Sequence, residues 1–196
     1  VIAGNHEYTF GTSRLVELAS KHSIPLLAAN WAGPNSLPPY SIHELNGVKV
    51  AIIGTASTIL NRVKDNDMKL QPVEQCVKAV VEQLDTKVDI IVLLTHLGVQ
   101  RDRALIKAIP RLDILFGGHN HKQFSELEFN EETRTALQHS GAHGKCFGEL
   151  TVTWDGRRVI DHESTIIKVS SEMTPSRRVK AIADKYLAIQ KSITRD

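Results

Sequence analysis

Between Asp89 and Thr95 the chain reads Ile90-Ile91-Val92-Leu93-Leu94, an apolar run with no polar alternation. A strand that is apolar on both faces must be buried on both, which is the situation of a parallel strand covered on each side rather than of a hairpin strand half in water. The flanks agree. Upstream, Val73, Cys76, Val77, Val80, Val81 and Leu84 recur at helical spacing on one face, which predicts a core helix with Cys76 as a buried thiol. Downstream, a short helix around 103–109 and a strand over 113–116 complete a strand–helix–strand unit.

Elsewhere the pattern changes to hairpins. Asn46-Gly47 joins a strand at 40–45 to one at 48–53, since both residues accept the positive φ of a tight hairpin turn. Further strands are expected over 124–129, 135–139, 146–154 and 157–169, with turns at 130–133 and at Asp155-Gly156. Units of both kinds in one chain imply an α/β fold of mixed sheets flanked by helices. Val1-Ile2-Ala3 reads as the tail of a strand, so residues are expected upstream of it. Behind Pro175, the residues Val179, Ile182, Ala183, Tyr186, Ile189 and Ile193 recur at helical spacing. That helix either packs on its own domain or leads into another.

Composition narrows the function classes. With 196 residues, 41% hydrophobic and 23% charged, the chain suits one compact domain with a real core. No apolar stretch approaches the roughly 18–20 residues of a membrane-spanning helix. Lys and Arg number 24 against 22 Asp and Glu, with only 5% aromatics, which argues against a nucleic-acid partner. Cys76 and Cys146 belong to no Cys-x-x-Cys pair, so neither a disulfide framework nor a thiolate zinc site is readable.

Three strand ends carry the chemistry: Gly4-Asn5-His6-Glu7, Thr95-His96-Leu97-Gly98 and Gly117-Gly118-His119-Asn120-His121. The carboxyl ends of strands in α/β sheets open onto the ligand crevice, where His6, His96, His119 and His121 can converge. Imidazoles with an Asn carbonyl suit zinc, manganese or iron better than calcium. Alternate side chains diverge in an extended turn, so His119 and His121 suit two neighbouring ions rather than one. A Gly-Asn-His-Glu string arises by chance in on the order of one in a thousand chains of this length. The other histidines, His22, His43, His139, His143 and His162, read as surface or turn residues, with His139 and His143 the most suspect because they flank Gly141.

Taken in order, these three motifs resemble the calcineurin-like metallophosphoesterase superfamily, in particular its 5'-nucleotidase branch. Outer stretches, Asn46 to Gly54 and Ser140-Gly141 through Gly148, are similar to that branch as well. The resemblance implies a four-layer sandwich, two mixed β-sheets flanked by helices, with residues 1–170 as the catalytic domain and 171–196 as a helix toward a substrate-binding domain. It implies a hydrolase that uses two divalent ions (zinc, manganese, iron or magnesium) and a metal-bridging hydroxide to cleave phosphate esters, nucleotides foremost. Asn5, His96 and His119 would hold one ion, His121 the other, and His6 would be catalytic at the leaving group. The setting it implies is periplasmic or extracellular.

Two departures qualify what is expected. The family's Asp-x-His and Gly-Asp motifs, which supply most ligands of the first ion, do not occur in the chain, so these 196 residues alone are expected to be a weak enzyme at best. Thr9 stands where the nucleotidase branch commonly places an Asp that orients the catalytic His. The alternatives are a related scaffold acting on a cyclic nucleotide or sulfur ester, and a non-catalytic metal-binding module.

Overall fold

The computed structural model describes residues 1–33, 36–58 and 68–193. In chain order the elements are α1 (Thr12–Lys21), β1 (Trp31–Ala32), β2 (Tyr40–Leu45), β3 (Val48–Gly54), β4 (Lys69–Leu70), α2 (Val73–Leu84), β5 (Ile90–Leu94), α3 (Val99–Ala108), β6 (Ile114–Gly117), β7 (Glu128–Asn130), β8 (Thr135–His139), β9 (Cys146–Trp154), β10 (Val159–Lys168) and α4 (Arg177–Ile193).

Six strands form one mixed sheet in the order β2-β3-β5-β6-β8-β7. Neighbours among β3, β5, β6 and β8 pair in parallel, while β2 and β7 run antiparallel at the two edges. The apolar run at 90–94 is thus an inner strand, and its alternate residues feed two cores. Ile91 and Leu93 join Ala51, Ile53, Leu115 and Leu137 on the face covered by α2 and α3. Ile90 and Val92 join Ile114 and Ala136 on the other face, against Leu150, Val152 and Trp154 of β9. Burial on both sides is why the run lacks alternation.

The expected α/β architecture of a mixed sheet flanked by helices is present. Of a second sheet the described residues contain the antiparallel pair β9 and β10. Asn46 and Gly47 both take positive φ, at 52° and 83°, as the hairpin turn between β2 and β3 requires.

Several local expectations are corrected. The helix expected around 103–109 begins earlier, at Val99, because Gly98 at φ 88° turns the chain directly into it. The strand expected over 124–129 shrinks to β7, since Phe124 is buried in the helix-side core instead of standing in the sheet. Cys76 is only half-buried and its thiol reaches Gln71 Oε1 at 3.6 Å. Residues 1–3 form no strand, although their backbone is tied down: the Leu27 N–H donates to Val1 O at 2.9 Å and the Ser57 N–H to Ala3 O at 3.2 Å. α1 arises where no helix was expected, with Leu15 and Val16 packed on a small core of Tyr8, Ala28 and Trp31.

α4 forms as expected, yet Val179, Ile182, Tyr186, Leu187 and Ile189 are all exposed, so the described side chains of this helix cover no core. The side chain of Ile193 and residues 194–196 lie outside the described residues. The contrast gives a stability test. Leu115 is fully buried and Leu187 is 52% exposed. Leu115→Ala is expected to cost about 2–5 kcal/mol and Leu187→Ala no more than about 0.5 kcal/mol, measured by urea unfolding.

Candidate metal centre

Because β5 and β6 are parallel and register Leu94 with Phe116, the loops that leave them start side by side. The first begins Thr95-His96 and the second Gly118-His119. A third chain segment reaches this edge from residues 1–7. It lies against the end of β3, where a side chain at Gly54 would collide with Ile2 and Leu27.

The three segments meet at one atom. Asn5 Oδ1 lies 3.0 Å from His96 Nε2 and 3.4 Å from His119 Nδ1, and the two imidazoles stand edge to face at 5.3 Å. Asn5 is buried at 4% exposure, so the oxygen is fixed. Glycines make the space. A Cβ on Gly4 would lie 3.0 Å from His96 Cε1, and one on Gly118 would lie 3.0 Å from His96 Nδ1.

These donors fit a divalent ion. Atoms bound to one ion at about 2.0–2.2 Å, at octahedral or tetrahedral angles, stand roughly 2.8–3.6 Å from each other. The two separations from Asn5 Oδ1 fall in that range, and a carboxamide oxygen with two imidazole nitrogens is a donor set for a borderline metal. Among the described residues no three His, Cys, Asp or Glu side chains gather as a metal-binding group; the convergence depends on the Asn5 carboxamide. Burial, with His119 next, holds His96 below its ordinary pKa, while Glu7 opposes the shift and His121 and His6 add to it. The neutral ring this favours is the form that binds metal.

The remaining site residues sit around this point. His121 is exposed, its ring 5.0 Å from that of His143. The two line a cavity of about 280 Å³ with Gln123, Gly141, Ala142, Lys145 and Cys146. His6 is exposed on the turn after Asn5. Thr9 does not orient its imidazole: the Thr9 hydroxyl donates to the His6 carbonyl at 2.7 Å and the Thr9 N–H to the same oxygen at 3.1 Å.

His22, His43 and His143 are exposed, as expected of surface or turn residues, and His162 stacks on Phe129 at 4.5 Å. His139 is not at the surface. It is 1% exposed, and its Nε2 lies 2.8 Å from Oδ2 of the fully buried Asp102. All of β8 is buried, so a histidine in it needed a polar partner. Asp102 and Glu7 had no role in the sequence reading. The position of Asp102 in the first turn of a helix passes for a solvated acid.

The direction of the His96 shift sets a pH test. In a metal-free ¹H NMR titration its ring is expected to titrate below the ordinary 6.5. With the folded value below the unfolded one, the unfolded chain binds the proton first, so this group withdraws stability as pH falls from about 6.5 toward the folded value. A midpoint at or above 6.5 contradicts the assignment.

Known proteins resemble this chain in sequence and in fold. No family model matches the sequence. The chain is 30% identical over 139 residues to the trifunctional nucleotide phosphoesterase YfkN of Bacillus subtilis, a match covering 67% of this chain and 9% of that protein. The structure resembles the 5'-nucleotidase precursor from Thermus thermophilus with a TM-score of 0.82 at 22% identity, over 99% of this chain and 43% of that one. It resembles the sulfate thiohydrolase SoxB of Thermus thermophilus with a TM-score of 0.87, also at 22% identity, over 97% and 36%. The chain therefore spans less than half the length of each of these proteins, and the two structures speak for the fold alone. With its motifs in order and its fold shared, the chain belongs to the calcineurin-like metallophosphoesterases, on their 5'-nucleotidase branch.

Proposed function

We propose that this domain takes part in metal-dependent hydrolysis of phosphate esters, with nucleotides as the foremost substrates. The observation that carries the reading is the meeting of Asn5, His96 and His119 at one point on the carboxyl edge of the sheet, with His6 on the adjoining turn. The nucleotide phosphoesterase named among the relatives supports the substrate class. Residues 1–170 form the catalytic domain, and α4 (Arg177–Ile193) lies in the segment 171–196 that leads on from it. An extracytoplasmic setting belongs to the same reading.

Asn5, His96 and His119 would hold one divalent ion and His121 a second, of zinc, manganese, iron or magnesium. Such a pair supplies Lewis-acid stabilisation of phosphoryl charge and a water acidic enough to attack at neutral pH. The chain's own residues do the rest. The buried Asn5 carboxamide fixes the point at which His96 and His119 meet. His6, whose ring makes no hydrogen bond among the described residues, gives a proton to the departing alkoxide oxygen as the P–O bond breaks, a task suited to imidazole near neutral pH. Thr9 favours a second reading, hydrolysis of a sulfur ester on the same scaffold, because its hydroxyl is bound to the His6 carbonyl and brings no carboxylate to the imidazole.

Assays with Mn²⁺ or Zn²⁺ on 4-nitrophenyl phosphate, AMP and a sulfur-ester panel separate the readings. The expected result is orthophosphate release that is modest in this chain, abolished by EDTA, and greater than any sulfur-ester turnover; the reverse preference selects the second reading. His96→Ala and His119→Ala are expected to lower bound metal far more than His22→Ala, measured by elemental analysis, and equal retention overturns the ligand assignment. His6→Asn is expected to lower turnover by about 10²- to 10⁴-fold with metal content unchanged.

A further inference from the structure

Directly beneath the candidate centre lies a polar network that the proposed reaction does not use. Asp102 is fully buried, His139 is 1% exposed and Thr95 3% exposed. The two Asp102 oxygens are each taken once: Oδ1 accepts from the Thr95 hydroxyl at 2.7 Å, and Oδ2 accepts from His139 Nε2 at 2.8 Å. A carboxylate only accepts, so His139 carries its proton on Nε2. Phe124 lies over the His139 ring at 5.2 Å, closing the network from the side.

Thr95 and His139 sit at the ends of two strands, and Asp102 sits on the helix that follows the first of them. Thr95 immediately precedes His96, and its N–H donates to Phe116 O at 3.0 Å. His139 is the register partner of Gly117, which lies two residues before His119. Asp102 comes from the first turn of α3, the helix that leaves the His96 loop. Any side chain at Gly117 would drive into both His139 Nε2 and Asp102 Oδ2. The glycine before the His119 loop is therefore fitted to this pair.

We propose that Thr95, Asp102 and His139 are the positioning residues of the centre, clamping the ends of β5, β6 and β8 so that His96 and His119 are held at the Asn5 oxygen. A buried polar pair contributes little net stability against an apolar replacement, whereas removing one partner strands the other. Its value here is geometric. Groups that orient metal ligands typically change affinity by about 10- to 100-fold when lost.

The test rests on the phosphoesterase reading in one arm only. The 196-residue chain, ¹⁵N-labelled at histidine, is compared with Thr95→Val, His139→Leu and His139→Gln. In the metal-free proteins, the ring signals of His96 and His119 are expected to shift or broaden in Thr95→Val and His139→Leu, while those of His22 and His43 stay. Calorimetric titration with Zn²⁺ is expected to show about 10- to 100-fold weaker binding in the same two variants. His139→Gln keeps a donor for Asp102 and is expected to restore most of both signals. Folded Thr95→Val and His139→Leu proteins with unmoved His96 and His119 rings and unchanged zinc affinity would overturn the proposal. Should His139→Leu fail to fold, Thr95→Val, which removes a single hydroxyl, decides it. If the unmodified chain binds no zinc, the metal reading falls, and the ring signals still judge the clamp.

Discussion

The parallel pairing of β5 with β6 is the constraint from which the site follows. Register between Leu94 and Phe116 brings two histidine-bearing loops out at the same height, and the parallel neighbours β3 and β8 add their own ends to the same edge. Antiparallel pairing would send alternate loops to opposite edges of the sheet. The stiffness of the arrangement comes from burial on both faces, since the same strands feed the helix-side core and the core beneath β9.

That stiffness is used to hold unfavourable backbone. His119, His121 and His143 take φ of 90°, 57° and 62°, a region in which a side chain typically costs of order 1–3 kcal/mol. These three sit around one edge of the sheet and make half of the six non-glycine residues at positive φ among the described residues. Asn46, at the hairpin, is there for the turn alone. Strain of this kind persists only where the surroundings over-determine it, and the packed strand ends supply that surrounding.

Much of this was legible in the sequence. The Asn46-Gly47 turn, the apolar face of α2 and the unbroken run of β5 each follow from spacing, and β8 and β9 match their expected bounds. The three polar turns named the residues that meet at Asn5. What was not legible depended on distant partners. Phe124 looks like the start of a strand but is drawn into the core, and α1 owes its place to Tyr8 and Trp31. His139 follows Thr135, Ala136, Leu137 and Gln138, all buried, and that two-sided burial was the available sign that its ring is interior. Thr9 faces the His6 carbonyl because a hydroxyl so close along the chain finds the backbone first.

The contacts at Asn5 also order events in time. Its oxygen meets His96 across 91 positions and His119 across 114. The β5–α3–β6 unit, by contrast, lies within one short stretch of chain and closes small loops. Loop-closure entropy is spent before a distant contact rewards it, so a half-folded chain holding only that unit presents both imidazoles with no carboxamide between them. The centre is complete only after residues 1–7 have docked. Any opening that frees this segment dismantles the centre while leaving the sheet intact.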